Sequence, residues 1–254
     1  VTYKALHMNN SKVILHIVKW IKDYIKSSDY NIQSLIVGVS GGIDSALTST
    51  LCAMTGIQTI VIKIPLKTKD LSLSKLHCDF LLSKYNNIKV CEVDLSDTFD
   101  KFYETCVASD FVNDLGFANS KSRLRMMLLY QAAASFSGIV VGTGNKVEDF
   151  GVGFFTKYGD GGVDISPIAD LTKSEVRSLS KELDISNDIL SAPPTDGLWD
   201  DDRTDEQQLG LTYEELEEAM SNKNSVYREK YLSIRRKNIH KMKTIPVCII
   251  KDKG

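Results

Sequence analysis

Long apolar runs, proline, excess charge of one sign and paired cysteines are all scarce in this chain, and each scarcity removes a class of protein. The most apolar N-terminal stretch, Val13 to Ile21, is broken by Lys19 and flanked by Lys12 and Lys22. It is too short to cross a bilayer and lacks the small-residue cleavage site of a secretory leader, so no membrane partner is expected. Lys and Arg total 31 against 33 Asp and Glu, a formal net charge of -2, which leaves no global positive field to hold nucleic acid. Only 5 prolines, with 43% hydrophobic and 25% charged residues, exclude disordered and collagen-like chains. The five cysteines, Cys52, Cys78, Cys91, Cys106 and Cys248, are odd in number and contain no C-x-x-C pair. They read as reduced thiols, which places the protein in the cytoplasm.

What is present is a full core's worth of apolar residues in 254 positions, read as a single domain over 1–254 with no internal repeat or linker. Val13, Ile14, Ile17, Val18, Ile21 and Ile25 recur at helical spacing, and further helical patterns occupy 45–55, 71–85, 119–136, 172–184, 212–220 and about 225–241. Short β-rich runs lie between them at 34–39, 59–64, 88–93 and 138–142. Continuous apolar strands alternating with helices predict an α/β fold, doubly wound around a mainly parallel sheet with helices on both faces. After Gly142, six glycines within about twenty residues predict a long ligand-shaping loop region, and the acidic, Pro-containing stretch 192–206 is expected to act as a lid.

The most informative segment is Gly38-Val39-Ser40-Gly41-Gly42-Ile43-Asp44-Ser45, which follows a buried strand and opens a helix. Such a turn points several backbone N–H groups at one place, glycines let phosphate oxygens approach the main chain, and the helix dipole favours negative charge. The Lys that precedes the hydroxyl in a G-x-x-x-x-G-K-[ST] loop is missing, and the spacing is not G-x-G-x-x-G. The S-G-G-x-D-S pattern resembles the pyrophosphate loop of the ATP pyrophosphatases, which split ATP between its α and β phosphates and transfer AMP to an oxygen. A triphosphate needs a divalent cation, hard carboxylate oxygens suit Mg2+, and Asp44 is the first candidate ligand. The loop alone leaves GMP, argininosuccinate and asparagine synthesis and tRNA thiolation open.

The rest of the chain narrows the choice. The stretches Asn119-Ser120-Lys121-Ser122-Arg123-Leu124-Arg125-Met126, Gly142-Thr143-Gly144-Asn145-Lys146-Val147-Glu148 and Gly153-Phe154-Phe155-Thr156-Lys157-Tyr158-Gly159-Asp160-Gly161-Gly162-Val163-Asp164 look like those of NAD synthetase. Leu171-Thr172-Lys173, Asp205-Glu206 ahead of Leu209-Gly210, and His240-Lys241 follow in the same order. The resemblance implies a five-stranded sheet of the adenine nucleotide alpha hydrolase type, close to the Rossmann arrangement. It also implies a ligase of the last step of NAD biosynthesis. The nicotinate carboxylate of deamido-NAD attacks the α-phosphorus of ATP, and ammonia then attacks the acyl adenylate to give NAD, AMP and pyrophosphate.

Carried over residue by residue, the resemblance puts Gly38, Val39, Ser40, Gly41, Gly42, Ile43, Asp44 and Ser45 around the ATP phosphates, with Thr143, Lys173 and Thr195 also at ATP. It gives Mg2+ to Asp44 and Glu148, deamido-NAD to Arg123, Lys157, Asp164, His240 and Lys241, and catalytic roles to Lys173 and Asp160. Asp160 is placed at ammonia, although a Tyr-Gly-Asp-Gly-Gly segment reads equally well as a turn aspartate. With the loop strand starting near residue 34, no room is expected for an N-terminal glutaminase domain, so free ammonia is the expected donor. The run Met126-Met127-Leu128-Leu129-Tyr130 is more apolar than one helix face needs and predicts a homodimer. Two alternatives stand beside this reading. A tRNA-thiolating relative is disfavoured by the missing C-x-x-C pair, and a nucleotide sensor does not need Asp44, Glu148, Lys157 and Lys173 together. Nicotinate mononucleotide remains open as the acceptor.

Overall fold

The computed structural model describes residues 9–67, 70–195, 197–199, 201 and 203–250. Its elements are α1 (Asn10–Ser27), β1 (Ser34–Gly38), α2 (Ile43–Met54), β2 (Gln58–Lys63), α3 (Ser72–Lys84), β3 (Ile88–Glu92), α4 (Ser96–Ala108), α5 (Asp114–Ser135) and β4 (Gly138–Val140). A π-helix (Lys146–Val152) follows, then α6 (Lys173–Glu182), α7 (Asn187–Ser191), α8 (Asp205–Leu209), α9 (Tyr213–Ser221) and α10 (Arg228–Met242).

The four strands pair in the order β3-β2-β1-β4, and every pairing is parallel. Because strand side chains alternate, β1 sends Leu35 and Val37 to one face and Ile36 to the other. The first face is covered by α1, α2, α6 and α7, which meet Leu35, Val37, Ile139 and Val141 in one apolar cluster. α3 extends that layer against Val39 and Val61. On the second face, Met126, Leu129 and Ala133 of α5 pack on Ile36, Ile60, Ile62 and Val140. Burial of such side chains stabilises by about 1.5–3 kcal/mol each. A separate cluster joins Val147 and Val152 of the π-helix to Tyr213, Leu216 and Ala219 of α9 and Tyr231 of α10.

Three expectations need correction. The sheet has four strands and not five. The segment that would supply the fifth reaches β4's edge but makes a single parallel bridge, Val141 to Ile165, with Gly142 N–H donating to the Ile165 carbonyl at 2.8 Å. Pro167, two residues on, has no N–H with which to extend the ladder. The glycine-rich stretch after β4 is not all loop, since residues 146–152 wind into the π-helix. Helix α4 went unread although Phe99, Phe102, Tyr103, Cys106 and Val107 recur at helical spacing; of these only Phe99 is buried. Residues 196, 200 and 202 of the expected lid lie outside the described residues; in the remainder of that stretch, α8 begins at Asp205.

Between α2 and α3, buried His77 places Nε2 2.8 Å from the Ser49 hydroxyl. Burial holds its imidazole down to about 4, against a weaker opposing hydrogen bond at the Ala46 backbone. The folded state therefore keeps a neutral ring where the unfolded chain binds a proton, and stability falls as pH drops from the ordinary histidine value toward 4. Thermal melts across that window should show a decline that is flattened in His77→Gln relative to wild type. Parallel wild-type and variant curves would contradict this.

Candidate active site

The C-terminal ends of the parallel strands face a cleft of about 1450 Å3, the position where open α/β sheets bind ligands. β1 ends at Gly38 and the chain turns through Val39 to Gly42 into the N-terminus of α2. Gly41 has φ +94°, and a Cβ there would stand 3.0 Å from the Ser74 backbone nitrogen and 3.1 Å from the Leu73 side chain. Only glycine satisfies both the backbone and the contact with α3. Hydroxyls hold the turn: Gly42 N–H donates to Ser40 Oγ (3.1 Å), Ser45 Oγ to the Gly42 carbonyl (2.9 Å), and Ser40 N–H to Ser45 Oγ (3.3 Å). All eight residues from Gly38 to Ser45 line the cleft, with Ser40 and Gly42 exposed to it.

Asp44, in the first turn of α2, meets two distant segments. Lys173, the first residue of α6, places Nζ 2.5 Å from Asp44 Oδ2 and 2.9 Å from Glu148 Oε1 of the π-helix. The lysine is aimed by a capping box, in which Thr172 and Glu175 satisfy each other's backbone N–H groups. Glu148 is aimed by Asn145, whose Oδ1 accepts from the N–H groups of Val147 (3.0 Å) and Glu148 (3.1 Å). Tyr213 of α9 donates its hydroxyl to Glu148 Oε1 at 2.5 Å and lies 3.2 Å from Asp205 Oδ2.

The lysine side chain is 3% exposed and the two carboxylates 17% and 16%, so the three charges are tightly coupled. Burial alone would lower the Lys173 ammonium, but Glu148 and Asp44 overcome it and hold the lysine above its ordinary value. Burial raises Asp44 more than Lys173 lowers it. Glu148 falls below its ordinary value despite burial, because Lys173 and the Tyr213 hydrogen bond favour its charged form. Lys173 engages one oxygen of each carboxylate, Asn145 Nδ2 donates to Asp44 Oδ1 at 3.4 Å, and both acids line the cleft. Among the described residues no three His, Cys, Asp or Glu side chains gather as a metal site. Two hard carboxylates suit Mg2+, which completes its shell with water and phosphate oxygens.

Across the cleft, Asp160 closes a turn: its Oδ1 accepts from Ser122 Oγ (2.6 Å) and Thr156 N–H (3.0 Å). The residue is open to the cleft on one side. Crowding by protein on the other raises its carboxyl against the pull of those hydrogen bonds and of Lys241. Arg123 Nε donates to the Lys157 carbonyl (3.2 Å), and Lys241 Nζ to the Phe155 carbonyl (2.7 Å). Burial lowers the Lys241 ammonium against the opposing charges of Asp160 and Asp149. Lys157, His240, Thr143 and Thr195 also line the cleft.

Asp164 is the expected site residue absent from that lining. Its Oδ2 accepts from Val140 N–H (2.7 Å) and its Oδ1 from the Tyr130 hydroxyl (3.1 Å), which ties β4 to α5. Asp149 was missed in the sequence. It lines the cleft, and burial together with the charges of Asp160, Glu148 and Asp44 raises its carboxyl well above the ordinary value. Tyr213 carried no local signal either, since its partner Glu148 lies 65 residues away. Asn145 did carry one, as an Asn preceding a helical turn.

Replacing Lys173 with Met leaves two adjacent carboxylates without their cation. The variant should lose about 3–5 kcal/mol of stability near neutral pH, with a smaller loss in acid where a carboxylate is protonated. A denaturation midpoint equal to wild type at pH 7 would contradict the geometry.

Three similarities bear on this arrangement. Residues 13–249 match the family described as NAD synthase. The NH(3)-dependent NAD(+) synthetase of Saccharolobus solfataricus is 35% identical over 98% of this chain and 84% of its own, and that of Mycoplasmopsis pulmonis 38% identical over 80% and 76%. Among solved structures, one described as NMN synthetase from Francisella tularensis superposes with a TM-score of 0.87 at 29% identity, covering 96% of this chain and 100% of its own. A pyrophosphate-type loop whose aspartate meets a buried lysine and a second acid, in a chain matched over nearly its whole length, leads to one conclusion: the chain belongs to the NAD synthase family.

Proposed function

We propose that the protein is an ammonia-dependent NAD synthetase. The observation that carries the reading is the Asp44–Lys173–Glu148 constellation at the end of the phosphate loop. A carboxylate does not react with ammonia until one of its oxygens becomes a good leaving group, and transfer of AMP makes it one. The backbone of residues 38–45 holds the ATP phosphates, with Thr143 near the adenosine and Thr195 also at ATP, both lining the cleft. Lys173 sets its ammonium beside the charge that develops on the leaving pyrophosphate. Asp44 and Glu148 would hold Mg2+, which neutralises the triphosphate when bound. Catalysis is then mostly positioning and charge stabilisation.

On the acceptor side, Arg123, Lys157, His240 and Lys241 supply the cations for a nicotinate nucleotide's carboxylate and phosphates. Asp164 stands outside the cleft lining, with its carboxylate accepting from the Val140 N–H and the Tyr130 hydroxyl. Asp160 is positioned to hold ammonium and accept its proton, so that ammonia attacks the acyl carbon and AMP leaves. The likeness to the protein described as NMN synthetase favours a second reading of the acceptor, in which nicotinate mononucleotide replaces deamido-NAD.

The proposed assembly is a homodimer. Met126 and Leu129 are buried on the sheet, while Met127, on the opposite side of α5, is 62% exposed. Phe111, Val112 and Leu115, between α4 and the first turn of α5, are exposed as well, with Phe111 74% exposed. No described helix is long and apolar enough to cross a membrane. The cysteines are free, with burial pushing the Cys78 thiol up to about 11, in keeping with a cytoplasmic setting.

Purified protein should release pyrophosphate from Mg-ATP with ammonium and deamido-NAD, and mass detection should find NAD. Release with nicotinate mononucleotide alone would move the reaction to the mononucleotide, and release with neither would refute the ligase. Asp160→Asn should keep acceptor-dependent AMP transfer while losing amide formation at least tenfold; unchanged ammonia turnover would remove Asp160 from the second step. Sedimentation should give the mass of two chains, and a single-chain mass would reject the dimer.

A further inference from the structure

Five non-glycine residues among those described adopt positive φ, and four of them, Lys67, Asp110, Ser137 and Asp184, are polar turn residues. The fifth is Tyr158, at φ +66°. A side chain with a Cβ is disfavoured there, and glycine or asparagine fills such positions at less cost to the fold. The turn leaves the backbone no freedom to relax. Gly159 and Gly161 N–H groups both donate to the Thr156 carbonyl (2.9 and 3.3 Å), and Gly162 N–H donates to the Gly159 carbonyl (2.8 Å). Gly162 lies so close that a Cβ on it would stand 2.9 Å from Tyr158 Cα.

The turn's hydrogen bonds hold the strained backbone, but the Tyr158 side chain gains little burial in return, being 58% exposed. Its ring instead sits where the main cleft meets a second cavity of about 310 Å3, with both bounded by Tyr158, Lys157, Phe155, Asp149 and Lys241. Lys157 Nζ stands over the ring, 5.3 Å from its centroid, so the exposed face already accommodates a cation. Strain held at a cleft wall beneath an exposed ring points to a role in binding.

We infer that Tyr158 is a positioning residue for the acceptor, offering its ring face to the pyridine ring of the nicotinate nucleotide. The inference rests on the proposed ligase reaction. In either acceptor the pyridine nitrogen bears the ribose, so the ring is a planar cation, and the negative face of a phenol attracts such a ring. The carboxylate on that ring gives Lys157 an anion to pair with, and the pyridinium takes the lysine's place over the phenol. The carboxylate is thereby presented on the cleft side, toward ATP, with Asp160 two residues along the same turn. Adenine, which is neutral, lacks this attraction.

The test uses the full-length protein with Tyr158→Phe and Tyr158→Asn. Asparagine relieves the backbone strain, so that variant should fold with a melting temperature equal to or above wild type. At saturating Mg-ATP and ammonium, Tyr158→Asn should raise the KM for the acceptor roughly tenfold and leave the KM for ATP unchanged, while Tyr158→Phe, which keeps the ring, stays within roughly threefold of wild type. The oxidised product should compete with the acceptor better than its uncharged dihydropyridine form on wild type, and this difference should shrink in Tyr158→Asn. An unchanged acceptor KM in the Asn variant, a matching rise in the KM for ATP, or a Phe variant as impaired as Asn would each overturn the inference while leaving the ligase reading intact. Wild-type protein that releases no pyrophosphate with either acceptor overturns both.

Discussion

The contact on which the rest of the site depends is the pairing of one buried ammonium with two carboxylates. Lys173 reaches 129 residues back to Asp44 and 25 residues back to Glu148. In doing so it ties the phosphate loop, the π-helix and the start of α6 to one point. Such a cluster is a weak contributor to net stability, because desolvation of three charges offsets much of their attraction. Its value lies in position: two acids and a cation sit where a triphosphate's charge must be balanced, at the positive end of α2.

The surrounding fold keeps those groups from relaxing. β1 is central and buried, so the loop that follows it has a fixed origin, and α6 packs in the same apolar cluster as α1 and α2. The second acid is held from the other direction. The π-helix is packed by α9 and α10, and Tyr213 connects that cluster to Glu148 through its hydroxyl. A π-helical turn is an uncommon backbone choice found often at functional sites. Here it turns Glu148 toward Lys173 while Val147 and Val152 enter the small core.

The legible parts were those whose physics is local. A buried strand, two glycines and a helix start mark the phosphate loop within eight residues, and all eight line the cleft. The central strands were readable because their apolar runs are short and continuous. Where the determinant is distant the sequence is silent, as with Tyr213, which reads as one more core aromatic of α9. The four β-rich runs are the four strands observed; the fifth was implied by the resemblance alone, and there the chain makes one bridge at Ile165 before Pro167. Asp164, given to the acceptor by the resemblance, lies outside the cleft lining and accepts from the Val140 N–H. Helix α4 was legible and passed over, since Phe99, Phe102, Tyr103, Cys106 and Val107 recur at helical spacing although Phe99 alone is buried.

In the proposed reaction the Lys173 constellation serves an acyl-adenylate step that precedes and does not require ammonia. Exchange of labelled pyrophosphate into ATP, measured with Mg2+ and the nicotinate acceptor in ammonia-free buffer, tests it directly. Wild-type protein should show acceptor-dependent exchange, and Asp44→Asn should lose it. Exchange that appears only when ammonium is added would contradict it.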